Sequence, residues 1–355
     1  MINQKIEKNL SYKITFLNFF FTMCIVIHHL NISGMYQNNG AAKLIINFIS
    51  LLGYPAMTFF FFTSGFLFFY NLNDFNKYIN KLISRIRTLI IPYILWNIIT
   101  IAVFKIVGIS NGVTFYKNML LINGEGPING PLWYIFRLVT YIIFISPIWL
   151  LIFNYNFKEK YKNEILKYIN IFFIFLLIIY NIVTKPSYYS FIYWLPIYLF
   201  GGFCSKYYLS FFNNMADKEY KSGYEYLFYI SIGVYLVITY FTIDWPYFTL
   251  FRYFAVILFF LGIRFINPIK KYNGIFEASF YVYAVHSIFL ILIKRFILPL
   301  PIISSFANSS SINLLITYIV TFISTFSGIL LSYYSLKKIS KKSLDLLTGN
   351  RSSRI

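Results

Sequence analysis

Three histidines are the first candidates for chemistry, because all of them sit inside apolar runs. His28 and His29 close the first run side by side, and His286 lies near the middle of a late one. An ionisable group in a membrane span costs roughly 2.5–3.5 kcal/mol on insertion scales and usually faces a cavity or a partner. A single buried histidine is commonly no more than a satisfied hydrogen-bonding group between helices. Three such residues, two of them adjacent, favour a functional role for at least one. Adjacent helical residues point about 100° apart, so at most one of His28 and His29 faces a central cavity. The chemistry that suits them is acyl transfer. An acceptor hydroxyl must lose its proton as it attacks a thioester or ester carbonyl. Neutral imidazole, with an unperturbed pKa of roughly 6.5, can take that proton, and burial keeps it neutral. Three histidines without a clustered carboxylate or thiolate give little support for zinc, so no metal site is expected. No Gly-x-Ser-x-Gly elbow or phosphate-binding loop is present.

The elements that must position these residues are membrane spans. Of the 355 residues 59% are hydrophobic and only 12% charged, against roughly 25% charged in soluble proteins. That composition excludes disorder and an ordinary cytosolic globule. The two cysteines, Cys24 and Cys204, lie in apolar runs, which excludes a disulfide scaffold. A span needs about 20 mostly apolar residues. Ten runs qualify: 14–30, 44–70, 89–109, 131–153, 165–183, 189–211, 226–243, 247–266, 276–297 and 313–336. Gly53 and Pro55 predict a kink in the second, and Asp244-Trp245-Pro246 a tight turn between the seventh and eighth. The first run ends in His28-His29 with no small-residue cleavage site, so it reads as a helix and not as a signal peptide.

The basic residues set the orientation. Of the 31 Lys and Arg, 22 fall on the side of the N-terminus, 5 on the opposite side and 4 inside spans. This is the positive-inside pattern with both termini cytoplasmic. It accounts for most of the net charge of +20, and nucleic-acid binding is not expected. The reading is an all-α, polytopic membrane bundle over 1–345 with a flexible cytoplasmic tail over 346–355.

The four cations inside spans divide by depth. Lys105, Arg137 and Arg252 lie toward the outer face and Arg264 toward the cytoplasm. Snorkelling accounts for all four, and best for Lys105. Arg137 follows Gly130-Pro131-Leu132-Trp133 and could hold an anionic substrate or stabilise an oxyanion. On the cytoplasmic side Lys81, Arg85 and Arg87 precede Leu89-Ile90-Ile91-Pro92. They are either a positive-inside flank that meets anionic lipid or a phosphate site, since Arg pairs bidentately with phosphate.

Five blocks in order give the chain a family resemblance. They are the first helix ending in His28-His29, Phe61-Phe62-Thr63-Ser64-Gly65-Phe66, Arg85-Ile86-Arg87 with Ile91-Pro92-Tyr93, Pro131-Leu132-Trp133-Tyr134, and Ser279-Phe280-Tyr281-Val282-Tyr283-Ala284-Val285-His286. Together the chain resembles the membrane-bound acyltransferase-3 family, bacterial enzymes that O-acylate surface sugars. One departure is plain. The family's opening helix has an Arg-x10-His spacing, and with His29 as the His the Arg position is Asn18.

The resemblance implies acyl-coenzyme A, usually acetyl, as a donor substrate taken at the cytoplasmic face, with no bound cofactor. It implies a hydroxyl of a cell-surface or lipid-linked polysaccharide as acceptor, and the cytoplasmic membrane as location. By matching position His29 is the candidate base with His28 as substitute, and His286 is a second site residue. Arg85 and Arg87 would contact the donor phosphates, and Trp133 and Ser64 would shape the cavity. The alternative is a transporter or flippase of lipid-linked sugars or acyl groups without chemistry, which predicts internal repeats that are not seen. A glycan polymerase ranks third, for want of a large outer loop.

Overall fold

The computed structural model describes residues 6–37, 40–108, 127–153, 160–217, 224–244, 248–267 and 274–350. Among them the chain is helical, without a β-strand. Among the described residues nine helical segments are long and apolar enough to cross a membrane, and they coincide with nine of the ten runs read from sequence. The protein is an all-α multi-pass membrane bundle. Of the basic residues used in the orientation count, Lys5, Lys117, Lys158, Lys218, Lys221, Lys270, Lys271, Arg351 and Arg354 lie outside the described residues, as do Trp245 and Pro246 of the predicted tight turn.

The chain divides into two compact units, each gathered from three stretches. The first is Met1–Asn18, Tyr54–Ile86 and Arg137–Tyr272, and the second is Phe19–Gly53, Arg87–Phe136 and Asn273–Ile355. Helix α1 (Lys8–His29) supplies residues to both.

In the first unit, α3 (Gly53–Phe69) meets α9 (Leu195–Tyr207) backbone to backbone. A Cβ on Gly65 would lie 1.9 Å from the Tyr198 carbonyl oxygen, and one on Gly201 would lie 2.0 Å from that of Phe62. Small residues at such a crossing let helices approach closely, which is how helices associate in lipid. Phenylalanines fill the space around it: Phe61 stacks on Trp194 at 5.0 Å, and Phe62 packs on Phe259 at 4.8 Å.

The expected span over 189–211 is corrected here. It is coil to Trp194, followed by the 13-residue α9, whose start Pro196 favours by its fixed φ. The coil still completes a return pass. At one end of α8 (Lys160–Thr184), the Asn181 side chain donates to the carbonyls of Ile192 and Tyr193, each at 3.1 Å. Toward the other end, Lys167 Nζ lies 5.0 Å over the Tyr208 ring. Fourteen helical residues separate those points on α8, about 21 Å. Non-helical backbone at membrane depth survives only where protein satisfies it. Here the Tyr188 carbonyl accepts from Trp194 Nε1 at 3.0 Å, Tyr189 from Arg137 Nε at 2.7 Å, and Phe191 from the Tyr141 hydroxyl at 2.6 Å.

In the second unit the predicted kink is a tight turn at residues 51–52 within one long apolar span. α2 (Ala41–Ser50) ends, and α3 begins only at Gly53. Further along, the chain adds α5 (Ile91–Ile106), α6 (Trp133–Thr140), α14 (Ser279–Leu292), α16 (Ser311–Ile339) and α17 (Lys341–Thr348). The last is anchored. Trp96 Nε1 donates to the Leu347 carbonyl at 3.0 Å, and Leu344 and Thr348 are fully buried. Gly349 ends the helix at φ 66°, where an added Cβ would lie 2.5 Å from Thr88 Cα. Residues 346–350 of the expected tail therefore belong to a packed element and its cap, and 351–355 lie outside the described residues.

Candidate functional site

The second unit gathers the histidines. His28 and His29 are the last two residues of α1, and their rings meet edge to face at 5.1 Å between centroids. Their surroundings differ. His28 Nδ1 is 2.7 Å from the Ser50 carbonyl, so it carries the proton and donates. Its ring also fills the space left by Gly53, where a Cβ would fall 2.5 Å from His28 Cγ. His28 thus ties the end of α1 to the turn between α2 and α3. His29 is exposed, and its ring makes no hydrogen bond among the described residues.

His286 backs His29, with centroids 5.3 Å apart and planes 32° apart. It is fully buried in α14. Its Nδ1 is 2.7 Å from the Tyr283 carbonyl one turn earlier, which fixes the proton on Nδ1 and leaves Nε2 a bare acceptor. That Nε2 is buried and has no partner among the described residues. Buried acceptors are rarely left unpaired, so this nitrogen remains available to a hydrogen-bond donor.

Two further groups position the histidines. Lys294 donates to the carbonyls of His29 and Asn31, at 2.8 and 3.0 Å. Those carbonyls belong to the unsatisfied end of α1, where a cation also answers the helix dipole. Asn129 is buried in the turn before α6. Its backbone N–H donates to Asn97 Oδ1 at 3.1 Å. Its amide donates to Thr100 Oγ1 at 3.2 Å and to the Ala284 carbonyl at 2.9 Å, and it accepts from the Ser287 hydroxyl at 2.9 Å. Ala284 and Ser287 flank His286 on α14. The Tyr283 hydroxyl donates to the Pro131 carbonyl in the same turn. Asn129 therefore locks α5, the 129–132 turn and the His286 helix together.

Of the other residues singled out in the sequence, Trp133 belongs to this unit, buried at the start of α6. Arg87 belongs to it as well, exposed in a π-turn (Ile86–Ile90) that leads into α5. Asn18, Ser64, Arg85 and Arg137 belong to the first unit. Asn18, Ser64 and Arg85 are half-buried. Arg137 is bonded through Nε to the 185–194 coil. Sequence reasoning missed Asn129, Asn97, Thr100, Ser287 and the capping role of Lys294. A signal existed for one of them: Asn129 sits in Pro127-Ile128-Asn129-Gly130-Pro131, a turn directly before a span. Among the described residues no group of His, Cys, Asp and Glu could hold a metal ion.

A family model described as an acyltransferase domain matches residues 12–334, which takes in every candidate residue named above. No curated protein matches, and no solved structure does.

Proposed function

This chain belongs to the membrane-bound acyltransferase-3 family, and from that premise we propose that it moves an acyl group, acetyl by default, from acyl-coenzyme A to a hydroxyl of a cell-surface or lipid-linked polysaccharide. It is a multi-pass membrane acyltransferase. On our reading it sits in the cytoplasmic membrane with both termini inside, as the excess of basic residues on that side favours. The acyl donor is a substrate, and no cofactor is retained.

The observation that carries this reading is the contrast between adjacent histidines. The His29 ring is exposed and makes no hydrogen bond among the described residues, while His28 is spent on Ser50 and Gly53. An open imidazole beside a buried one with a bare Nε2 is equipped to receive a hydroxyl. In the proposed step the acceptor oxygen attacks the thioester carbon. The new C–O bond forms, the C–S bond breaks, His29 takes the hydroxyl proton, and that proton passes to the leaving thiolate to give free coenzyme A. His286 Nε2 accepts a hydrogen bond from the incoming hydroxyl and orients it. Its Nδ1 bond to Tyr283 holds the tautomer needed for that.

Arg87, with Arg85 before it, is assigned to the donor's phosphates. Thirteen residues, through the π-turn and the first part of α5, separate Arg87 from Thr100, whose hydroxyl touches Asn129, a rise of about 20 Å. That separation suits the extended pantetheine arm of coenzyme A, with phosphates at Arg87 and thioester near the histidine end. Trp133, buried at the start of α6, is assigned to a cavity wall.

The test is release of coenzyme A thiol from acetyl-coenzyme A by purified protein, with membrane extract as the acceptor source. A flippase without chemistry releases none, and that result would overturn the reading. Calorimetric titration with acetyl-coenzyme A identifies the donor separately. Binding that disappears in the Arg85→Ala, Arg87→Ala double variant supports the phosphate assignment.

A further inference from the structure

Arg252 is in the first unit, in the first turns of α12 (Phe248–Phe254), at the start of a membrane-spanning segment. It is 9% exposed. Four aromatic rings surround its guanidinium carbon: Phe248 and Tyr188 at 4.7 Å, Tyr54 at 4.9 Å and Tyr193 at 5.7 Å from their centroids. Ring faces stabilise a cation, but they leave its in-plane N–H groups without acceptors. One of those groups is used, with Nη1 donating to the Tyr193 hydroxyl at 2.8 Å. Nε is buried and has no partner among the described residues. Nη2 has no partner among the described residues either. Asp244, close enough to Tyr54 to act on it, makes no ion pair with Arg252. The backbone beneath is fixed by the Thr58 hydroxyl, which donates to the Arg252 carbonyl at 2.9 Å.

A buried cation without a counter-charge is costly, and proteins seldom keep one unless something arrives to pair with it. One Nη1 N–H and the Nη2 group remain to donate, and a guanidinium fork matches two oxygens of a phosphate. Its depth, at the end of a span and among tyrosines, is that of lipid headgroups. Apolar rings on all sides suit the chain or sugar that flanks such a phosphate. We infer that Arg252 and its aromatic walls form a binding site for the phosphate of a membrane lipid. This site does not depend on the acyl-transfer reading.

Native mass spectrometry of the detergent-solubilised protein tests it, in 0.5 M ammonium acetate so that lipid held by exposed lysines is shed. The probes are dioleoylphosphatidylglycerol, dioleoylglycerol, glycerophosphoglycerol and farnesyl phosphate. Wild type should retain one phosphatidylglycerol or farnesyl phosphate, and Arg252→Gln should bind it about ten- to a hundredfold more weakly. Dioleoylglycerol, which lacks phosphate, should not compete. Glycerophosphoglycerol, which lacks chains, should bind weakly. Tighter farnesyl phosphate would name an isoprenoid carrier as the source, and tighter phosphatidylglycerol the bulk bilayer. Equal binding by wild type and Arg252→Gln, equal binding of dioleoylglycerol, or preference for the chain-free phosphate would overturn the inference. If Arg252→Gln does not fold, Arg252→Lys and Tyr188→Leu carry the test. Each should weaken binding several-fold, and unchanged affinity in both would be equally fatal.

Discussion

Replacing His28 and His29 one at a time should separate stability from activity at neighbouring positions. His28→Ala removes a hydrogen bond to the Ser50 carbonyl, about 1 kcal/mol net, and a ring packed into the space left by Gly53. Truncating a packed ring commonly costs about 3 kcal/mol more than leaving it, so a loss of about 2–4 kcal/mol is expected for this half-buried residue. His29→Ala removes a side chain with no hydrogen bond among the described residues but with ring contacts to His28 and His286, so a smaller loss of about 1 kcal/mol is expected. If His29 is the base, its loss should cost about a hundred- to ten-thousandfold in turnover, or about 2.7–5.4 kcal/mol of transition-state stabilisation. The assay pairs thermal unfolding with thiol release from acetyl-coenzyme A in one detergent preparation. The expected pattern is a crossed one: His28→Ala lowers the midpoint and retains much of its turnover per folded molecule, and His29→Ala does the reverse. His29→Ala with near wild-type turnover would refute the assignment. So would a His28→Ala variant that is inactive at an unchanged midpoint.

Other positions give sharper single readouts. Asn129→Ala deletes three side-chain hydrogen bonds, so it should lose about 2–4 kcal/mol in thermal stability, and a change under about 0.5 kcal/mol would show the lock to be unimportant. Gly65→Ala should prevent α3 and α9 from meeting, since its Cβ would lie 1.9 Å from a carbonyl oxygen; monodisperse protein of normal stability would contradict that crossing. Gly349→Ala forces a side chain into the left-handed region at a cost of about 1–2 kcal/mol, and against the Thr88 backbone as well. Hydrogen exchange over 341–350 should speed up, and unchanged protection would mean that α17 is not held there. Arg85→Ala with Arg87→Ala should raise the donor KM about tenfold or more if the pair binds phosphate; an unchanged KM would leave both as orientation signals.

The sequence was most legible where lipid is the solvent and least legible where protein is. Nine apolar runs became long helices because each must satisfy its own backbone and present apolar side chains to hydrocarbon. The stretch 189–211 looks the same in composition, yet ten of the thirteen residues of α9 are buried by protein. Coil before it is tolerated because Arg137, Tyr141, Asn181 and Trp194 serve its carbonyls, and no local pattern announces such distant donors. This also alters the reading of Arg137. A cation in an apolar run is rightly suspected of function, but here its Nε holds backbone.

The histidines show the same limit at finer scale. Their placement in spans marked them as candidates, and adjacency required them to face different ways, but nothing in α1 itself says which one opens outward. That is decided by Gly53, twenty-five residues later, whose missing side chain admits the His28 ring, and by the Ser50 carbonyl left free where α2 ends. A scan for ionisable residues in apolar runs also passes over Asn129, because it stands in a turn, and reads Lys294 as a flank. Both act on the site through backbone: Asn129 on the carbonyl of Ala284, and Lys294 on those of His29 and Asn31. In a protein with so few charged groups, neutral amides and freed carbonyls carry much of the positioning. The residues most worth replacing next are therefore the ones that hold the imidazoles still.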